Sequence, residues 1–410
     1  MTAGRHHDHL ELRSGDERAR DLARELPVLV ARAKGRASGY AGMLADIDPA
    51  DITSVDSLAA LPVLRKAELV RLQSEAPPFG GFATLDKTAF EHLFQSPGPI
   101  YEPGMAGGDW WRMGRFLHAC GIGPGDIVQN CLSYHLTPAG MIFENGARAL
   151  GATVIPAGTG QTELQVQAAA HFGTTAYAGT PDYLKTILEK ADEMGVGLDC
   201  LTKAAVGGGA LFPVTRQFYA DRGISCLQSY ATADIGSIAY ETVPDQGLVV
   251  DEGVVVEIVV PGTGQPVEEG RIGEVVVTTL NRDYPLIRFA TGDLSAFLPG
   301  ASPCGRTNRR LAGWKGRADQ TTKVKGMFVR PEQVAELVRR SPGIVRARLV
   351  VARENDQDVM TVLAESASGP VPDFEEQVAT TLKLRGVVEF RERGSLPDDG
   401  KVIDDQRLYD

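Results

Sequence analysis

The sequence has 410 residues, of which 43% are hydrophobic and 23% are charged, and its formal net charge is −11. This length can hold two domains with a large core, and the composition is typical of a soluble globular protein. The negative charge argues against nucleic acid or an anionic membrane surface as a partner, because both require a basic face. No apolar run approaches the roughly 20 residues of a membrane span. The polar N-terminus and the five dispersed cysteines lead us to expect a cytoplasmic protein.

The N-terminal part of the chain is predicted to be helical, with one irregular segment. Residues 10–46 are rich in Leu, Ala, Arg and Glu, which indicates one or two helices. Ala76–Met105 is instead rich in Pro and Gly. A short strand is expected at Ala89–Phe94, and the prolines and glycines that follow predict a loop without regular structure.

From residue 107 onward, helical segments alternate with short apolar strands and glycine turns. This alternation predicts right-handed βαβ units and a mainly parallel sheet, which binds ligands outside the C-terminal ends of its strands. Gly247–Leu280 is rich in Val and predicts a β-rich subdomain. The predicted fold class is therefore α/β, with a large body at residues 1–318, in which helices flank mainly parallel sheets, and a small α+β domain at residues 319–410.

Short motifs occur along the chain in a fixed order: LPVLRKAEL, GATVIPAGTGQTELQ, AGTPDYL, VGGGALFP, SYATAD, GEVVVTTL, YPLIRFATGDL, CGRT, GRAD and a late GK. In this order they resemble the motifs of AMP-forming adenylate ligases, most closely those of the phenylacetate–CoA ligase branch. The resemblance covers nearly the whole chain and rests on the ensemble rather than on any single motif.

The resemblance implies a reaction in two halves. A small carboxylic acid, aromatic or related, attacks the α-phosphate of ATP to give an acyl-adenylate, and a thiol then displaces AMP. It implies ATP, Mg²⁺ and CoA as cofactors, with a carrier-protein thiol as the alternative acceptor, and it allows a homodimer. Lys323, Lys325 and Arg330 beside Gly326 favour CoA, since its 3′-phosphate needs basic neighbours.

The resemblance also assigns the nucleotide to particular residues. Asp293 would accept hydrogen bonds from the ribose hydroxyls, because an ionised carboxylate is a strong acceptor, and Arg317 would lie near the ribose or the α-phosphate. Tyr230 would stack on the adenine ring. The backbone of Gly207, Gly208 and Gly209 would lie along the edge of that ring.

The resemblance assigns three further residues to the two half-reactions and to the domain rotation between them. Lys401 would approach the α-phosphate and offset charge that develops in the transition state. Asp319 would be the hinge about which a mobile small domain rotates. Gly326 would line the thiol tunnel, where a side chain would obstruct the thiol.

The acid would be enclosed by Tyr134, His135 and Ser229. An aromatic ring fits such a wall, and His135 would contact a polar substituent or orient the carboxylate. The alternative is a histidine that only satisfies its own local hydrogen bonds near a helix start.

The segment FQSPGPIYEPG (Phe94–Gly104) stands where the family carries a loop that wraps the β- and γ-phosphates. Of the residue types typical of that loop, this segment has only Ser96 and Gly98, and it lacks the loop's lysine. The prolines remove backbone N–H groups that could hold phosphate. Glu102 is expected to add a negative charge that repels polyphosphate.

Asp234 stands where the family has a glutamate associated with Mg²⁺, so Asp234 is the candidate metal ligand and catalytic carboxylate. Two hypotheses follow from these departures. Either the chain is a working ligase with an unusual phosphate loop, or it binds AMP or an acyl-adenylate and uses ATP poorly.

Taken singly, the candidate residues have structural explanations as well. Asp293 could cap a turn, Tyr230 could be a core residue, and Lys401 could be one more exposed lysine. Cys304 has no neighbouring Cys or His in sequence, and a structural zinc site needs four ligands, so none is predicted.

Overall fold

The computed structural model describes residues 6–318, 320–354, 357–366, 369–397 and 401–407. The chain forms two compact units. The large unit comprises Met1–Thr291 and Ser295–Gly313, and the small unit comprises Gly292–Leu294 and Trp314–Asp410. Asp319 lies outside the described residues, so the boundary at that residue and its role as a hinge stay predictions.

The helices of the described residues begin in the N-terminal region, where the capping box of Ser14 and Glu17 starts the first one. They are α1 (Gly15–Arg36), α2 (Ser38–Met43), α3 (Lys66–Glu75), α4 (Gly114–Ala119), α5 (Ala139–Ala149), α6 (Thr162–Phe172), α7 (Pro181–Met194), α8 (Pro213–Ala220), α9 (Pro331–Arg340) and α10 (Phe374–Leu382). Short 3₁₀ helices lie at His9–Leu12, Pro49–Asp51, Asp56–Ala60 and Lys87–Ala89. In these described segments, none of the helices has the length and apolar character that crossing a membrane would require.

The strands of the large unit come mostly from the alternating segment that begins at residue 107 and from the Val-rich segment Gly247–Leu280. They are β1 (Leu64–Arg65), β2 (His92–Ser96), β3 (Ile100–Gly104), β4 (Ile127–Asn130), β5 (Thr153–Ile155), β6 (Ala176–Gly179), β7 (Lys203–Val206), β8 (Ser225–Thr232), β9 (Gly236–Tyr240), β10 (Leu248–Val250), β11 (Val254–Val259), β12 (Gly273–Thr279), β13 (Phe289–Ser295), β14 (Phe297–Leu298) and β15 (Arg310–Leu311). Strand β13 runs from the large unit into residues of the small one.

The main sheet has the order β14-β15-β10-β9-β8-β7-β6-β4-β5. Strands β5, β4, β6, β7 and β8 are parallel, and β9, β10, β15 and β14 continue the sheet in antiparallel pairs. Strand β6 shows how the layers form: Ala176 and Ala178 pack with Phe116 and Phe143 on one face, whereas Tyr177 packs with Leu184 on the other. Successive side chains of a strand point to opposite faces, so helices cover both sides of this sheet. The α/β fold class is confirmed.

A second sheet has the order β1-β13-β12-β11 and carries the predicted Val-rich segment. Strand β1 pairs with β13 in parallel through Leu64 and Phe289. The side chain of Arg288 is only 2% exposed, and its guanidinium bonds Glu257 at 2.9 and 3.0 Å. It also donates to the carbonyl oxygens of Leu61 and Gly264, each at 2.7 Å. Arg288 therefore holds the segment before β1 onto this sheet.

The prediction of an irregular loop after Phe94 was wrong. Strands β2 and β3 form an antiparallel hairpin, in which His92 pairs with Gly104 and Ser96 pairs with Ile100. Pro103 is accommodated because a two-stranded hairpin is all edge, so a missing N–H need not break a ladder bond. A Cβ on Gly104 would lie 2.6 Å from the Trp111 ring, so this position is closely packed.

The small unit is the predicted α+β arrangement. Its strands are β16 (Thr322–Val324), β17 (Met327–Val329), β18 (Ile344–Glu354), β19 (Gln357–Ser366), β20 (Val387–Arg391) and β21 (Ile403–Asp405). Its larger sheet has the order β20-β19-β18-β21, and β16 and β17 form a separate hairpin. Val334, Leu337, Phe374 and Val378 pack from α9 and α10 into one core with this sheet.

Replacing Arg288 with Met should destabilise the protein by about 3–5 kcal/mol, because it leaves Glu257 buried without its partner. Urea denaturation of the large-unit transition measures this loss. Arg71→Ala removes an ion pair with Glu75 whose side chains are more than half exposed, and it should change the free energy of unfolding by less than about 0.5 kcal/mol. Equal small losses in both variants would contradict the proposed importance of Arg288.

Candidate active site

The residues predicted to hold nucleotide and acid fall in both units. Tyr134, His135, Gly207, Ser229 and Tyr230 belong to the large unit, together with Ser96, Gly208, Gly209 and Asp234. Asp293, Arg317, Gly326 and Lys401 belong to the small unit. Each set is described within its own unit.

The glycine turn follows the C-terminal end of β7, as the parallel sheet predicts. The Gly207 N–H donates to the carbonyl of Gly179 at 3.0 Å. A Cβ on Gly207 would lie 2.9 Å from Ser229 Oγ and 3.4 Å from Phe143. Gly208 has φ +68°, which L side chains rarely adopt. Gly207 is therefore required by the close approach of Ser229, and Gly208 by its backbone conformation. The turn brings Gly207 and Ser229 together.

Tyr230 lies on β8 and is half-buried against the core of the large unit. Its hydroxyl bonds Thr291 Oγ1 at 3.1 Å, and Thr291 Oγ1 donates to the Val275 carbonyl. The phenol end of the ring is thereby fixed to β13. This position serves the core, and stacking of the ring on adenine stays a prediction.

Tyr134 and His135 have different surroundings. The Tyr134 hydroxyl accepts a hydrogen bond from Asn130 Nδ2 at 2.8 Å, and a Cβ on Gly140 would lie 2.7 Å from its ring. Burial raises the pKa of the Tyr134 phenol, so the hydroxyl stays protonated. His135 is exposed, and its backbone N–H donates to Ser133 Oγ. Tyr134 thus has a fixed orientation, whereas the backbone hydrogen bond of His135 is that of a local turn.

The hairpin of β2 and β3 carries a buried carboxyl group that is linked to Ser96. Ser96 Oγ donates to Glu102 Oε1 at 2.5 Å, and Glu102 is only 1% exposed. Burial, with the charge of Asp234 nearby, raises the pKa of Glu102 to about 8. Glu102 is therefore mostly protonated at neutral pH. The expectation that it adds a charge that repels polyphosphate was wrong, because sequence alone does not reveal its burial.

Asp234 is bound by a lysine that the sequence analysis did not single out. Lys66 Nζ donates to Asp234 Oδ2 at 2.5 Å, and the Asp234 side chain has no exposed surface. Lys66 belongs to the LPVLRKAEL motif, so its chain position was visible, but its partner 168 residues away was not. The other oxygen, Oδ1, is buried and has no hydrogen-bond partner among the described residues.

These contacts do not fit a magnesium ligand at Asp234. The Lys66 ammonium would repel a divalent cation on the same carboxylate, and the Asp234 side chain has no exposed surface. Within the part of the chain that the structure describes, no three or more His, Cys, Asp or Glu residues lie where they could hold a metal. The described contacts of Asp234 are therefore those of an ion pair with Lys66 and not those of a magnesium ligand.

In the small unit, Asp293 is the acceptor of two side-chain donors. Trp314 Nε1 and Arg317 Nη1 both reach Asp293 Oδ1 at 3.0 Å, and Asp293 pairs with Arg317 as an isolated β-bridge. The structure thus brings together the two residues predicted to hold AMP. Trp314 was not predicted, and its only sequence signal is its position three residues before Arg317.

Lys401 and Gly326 lie in exposed positions of the small unit. The Lys401 side chain is 55% exposed and pairs with Asp404 at 2.9 Å. Gly326 forms the turn between β16 and β17 with φ +83°, which is reason enough for a glycine there. Their roles toward the α-phosphate and the thiol stay predictions.

Cys304 lies among hydrogen-bond donors in the large unit. Burial raises the pKa of the Cys304 thiol, but hydrogen bonds from Ser302, Thr242 and Arg306 outweigh burial and lower this pKa to about 7. The Thr242 hydroxyl reaches the sulfur at 3.1 Å. The thiol is thus partly ionised near neutral pH.

Comparison with known proteins identifies the family. The chain is 31% identical over 359 residues to a phenylacetate–coenzyme A ligase of Aromatoleum evansii, covering 82% of this chain and 79% of that protein. It is also 31% identical over 361 residues to a phenylacetate–coenzyme A ligase of Thermus thermophilus, covering 83% and 80%. The chain belongs to the phenylacetate–CoA ligase family.

The fold of this phenylacetate–CoA ligase homologue has a solved counterpart. A 2-hydroxyisobutyryl-CoA ligase, determined in complex with 2-HIB-AMP and CoA in the thioesterification state, superposes with a TM-score of 0.81 and 23% sequence identity. The match covers 100% of this chain and 94% of that one, which shows a common fold. No protein-family model matches the chain.

The buried Glu102 predicts a pH dependence of stability. The pKa of Glu102 in the folded protein lies above the ordinary glutamate value of 4.5, so its contribution to stability is complete below about pH 4.5 and is lost as pH rises through about 8. Glu102→Gln should therefore remove a stability loss of a few kcal/mol between about pH 5 and 8.5. Urea denaturation at intervals across this window measures the difference, with the exposed Glu75→Gln variant as the control. Parallel pH profiles for wild type and Glu102→Gln would show that Glu102 does not titrate in this range.

Proposed function

We propose that the chain is an AMP-forming acid–CoA ligase. In the first half-reaction, a carboxylate oxygen of the acid attacks the α-phosphorus of ATP and pyrophosphate leaves. In the second, the thiolate of CoA attacks the acyl carbon of the adenylate and AMP leaves. Membership of the phenylacetate–CoA ligase family supports this reaction class.

The observation that carries the nucleotide part of this proposal is the Asp293 contact set. Asp293 receives the indole N–H of Trp314 and the guanidinium of Arg317 on one oxygen. Two such donors hold a carboxylate in one orientation, and a carboxylate is a strong acceptor for ribose hydroxyls. We therefore propose that Asp293 binds the ribose and that Arg317 lies near the α-phosphate.

Lys401 and the β16–β17 hairpin serve the two half-reactions in this proposal. Lys401 approaches the α-phosphate during adenylation, exchanging its surface contact with Asp404 for a contact with developing negative charge. Gly326, with exposed Lys325 beside it, faces the thiol of CoA in the second half-reaction. Rotation of the small unit about Asp319 would exchange these two roles.

A small aromatic acid is the proposed substrate. The Tyr134 ring is held by Asn130 and by close packing on Gly140, so it can present a fixed face to an aromatic ring. Phe143 and Ser229 meet at Gly207 beside the same sheet edge. The names of the curated relatives point to arylacetic acids, which is the first class to test.

A second candidate function comes from the β2–β3 hairpin. Its backbone pairs from His92 with Gly104 to Ser96 with Ile100, which engages N–H groups in a ladder where the family has a phosphate-wrapping loop. A chain with this hairpin could bind AMP or an acyl-adenylate while using ATP poorly. It would then transfer a preformed acyl group to CoA.

Acid-dependent exchange of labelled pyrophosphate into ATP separates the two candidates. The ligase should catalyse exchange with at least one acid from a panel of phenylacetic, benzoic, hydroxy and short alkyl acids. The order of rates across the panel gives the substrate class. Absence of exchange with every acid, together with measurable AMP binding by calorimetry, would favour the second candidate.

Replacing Lys401 with Ala should slow pyrophosphate exchange by about a hundredfold, since it removes a charge that stabilises the transition state of adenylation. The CoA-dependent consumption of a chemically prepared acyl-adenylate should change by less than about threefold (about 0.65 kcal/mol). Arg339→Ala, another exposed basic residue of the small unit, is the matched control and should leave both rates unchanged. An equal loss in both half-reactions would show that Lys401 is not specific to adenylation.

A further inference from the structure

A group of polar side chains, most of them buried, includes two residues of the β2–β3 hairpin and lies wholly within the large unit. It consists of Lys66, Ser96, Glu102, Asp234 and Tyr284. Lys66 bonds Asp234, Ser96 bonds Glu102, and burial together with the nearby carboxyl groups of Glu102 and Asp234 raises the pKa of Tyr284. We call this group the acid–lysine cluster. Glu102 Oε2, Asp234 Oδ1 and the Tyr284 hydroxyl are buried without hydrogen-bond partners among the described residues. The cluster therefore has unused hydrogen-bonding capacity.

Asp234 already has a cationic partner. Lys66 and Asp234 form an ion pair, in which the Asp234 side chain is fully buried. Adding a divalent cation to Asp234 would place it beside an ammonium 2.5 Å from the same carboxylate. Lys66 thus neutralises the carboxylate that the family resemblance assigns to magnesium.

Two elements hold Lys66 in place. It is the first residue of α3 and follows Arg65, which pairs with Ala290 on β13. Further along α3, the Gln73 side chain exchanges two hydrogen bonds with the backbone of Tyr101 on β3, each at 2.8 Å. Helix α3 is therefore fixed to the hairpin at one end and to the second sheet at the other.

Lys66 is also the member of the Lys66–Asp234 pair that can reach solvent. Its side chain is 28% exposed, whereas that of Asp234 is fully buried. An ammonium has three donors, and within the described residues one is used on Asp234. The remaining donors can bind an anion without breaking the contact with Asp234.

We propose that Lys66, held by Asp234 at the β2–β3 hairpin, takes the place of a metal ion on Asp234, so that this site binds the β- and γ-phosphates of ATP through a fixed ammonium. The inference rests on the proposed function, because it assumes that the chain binds ATP.

The first test is calorimetric titration of the full chain with ATP and with AMP, each in EDTA and in excess Mg²⁺. The ATP affinity of the wild type should differ by less than about threefold between the two conditions (about 0.65 kcal/mol). If ATP binds only with Mg²⁺ while AMP binds in both, the inference fails and the proposed function stands. If neither nucleotide binds, the proposed function itself fails.

Variants then separate a counter-ion from a metal ligand. Asp234→Asn should keep ATP binding in EDTA, because Lys66 remains, whereas loss of ATP binding would identify Asp234 as a direct ligand. Lys66→Met alone leaves Asp234 buried without its partner, so the measurement uses the Lys66→Met/Asp234→Asn double variant. This variant should bind ATP about tenfold more weakly (about 1.4 kcal/mol) and AMP within about threefold of wild type.

Two controls complete the design. Lys87→Met removes an exposed lysine outside the cluster and should not change the affinity for either nucleotide. Glu102→Gln keeps the hydrogen bond from Ser96 to a side-chain oxygen and should preserve ATP binding in EDTA at neutral pH. Unaltered ATP affinity in the double variant, with a normal thermal unfolding transition, would overturn the proposal.

Discussion

The large unit depends on a guanidinium buried in its second sheet. Arg288 has a positive φ of +46°, a conformation that costs energy for a residue with a side chain. Its ion pair with Glu257 and its hydrogen bonds to the carbonyls of Leu61 and Gly264 hold it there. Since these bonds fix the chain just before β1, they also fix where α3 begins. The position of Lys66 is therefore set by an arginine that touches none of the candidate site residues in the described contacts.

The phosphate end of the candidate site differs in kind from a glycine-rich loop. Such a loop binds phosphate through backbone N–H groups and a flexible lysine. Here the backbone pairs within a hairpin, and the positive charge comes from Lys66 on a separate helix. The carboxylate of Asp234 accepts a hydrogen bond from that ammonium, and burial raises the pKa of the nearby Glu102. The hairpin lacks the lysine of the family's phosphate loop. In our proposal, Lys66 on helix α3 supplies the positive charge instead.

The sequence alone predicted much of this arrangement and missed particular parts for identifiable reasons. Gly207 and Ser229 were predicted from the family resemblance, and in the structure a Cβ on Gly207 would lie 2.9 Å from Ser229 Oγ. Asp293 and Arg317 were predicted from motifs and are bonded to each other. The protonation of Glu102 was predicted wrongly, since a pKa depends on burial and neighbours that only the folded chain supplies.

The sequence by itself determined the fold class and the family, because periodicity and ordered motifs are local properties of the chain. The hairpin at residues 92–104 was decided by tertiary structure, since packing of Gly104 on Trp111 overrides the local preference of proline-rich sequence for irregular loops. The partner of Asp234 was decided in the same way. Its ion pair with Lys66 joins residues 168 positions apart, and no local pattern records a contact made only when β1 meets β13.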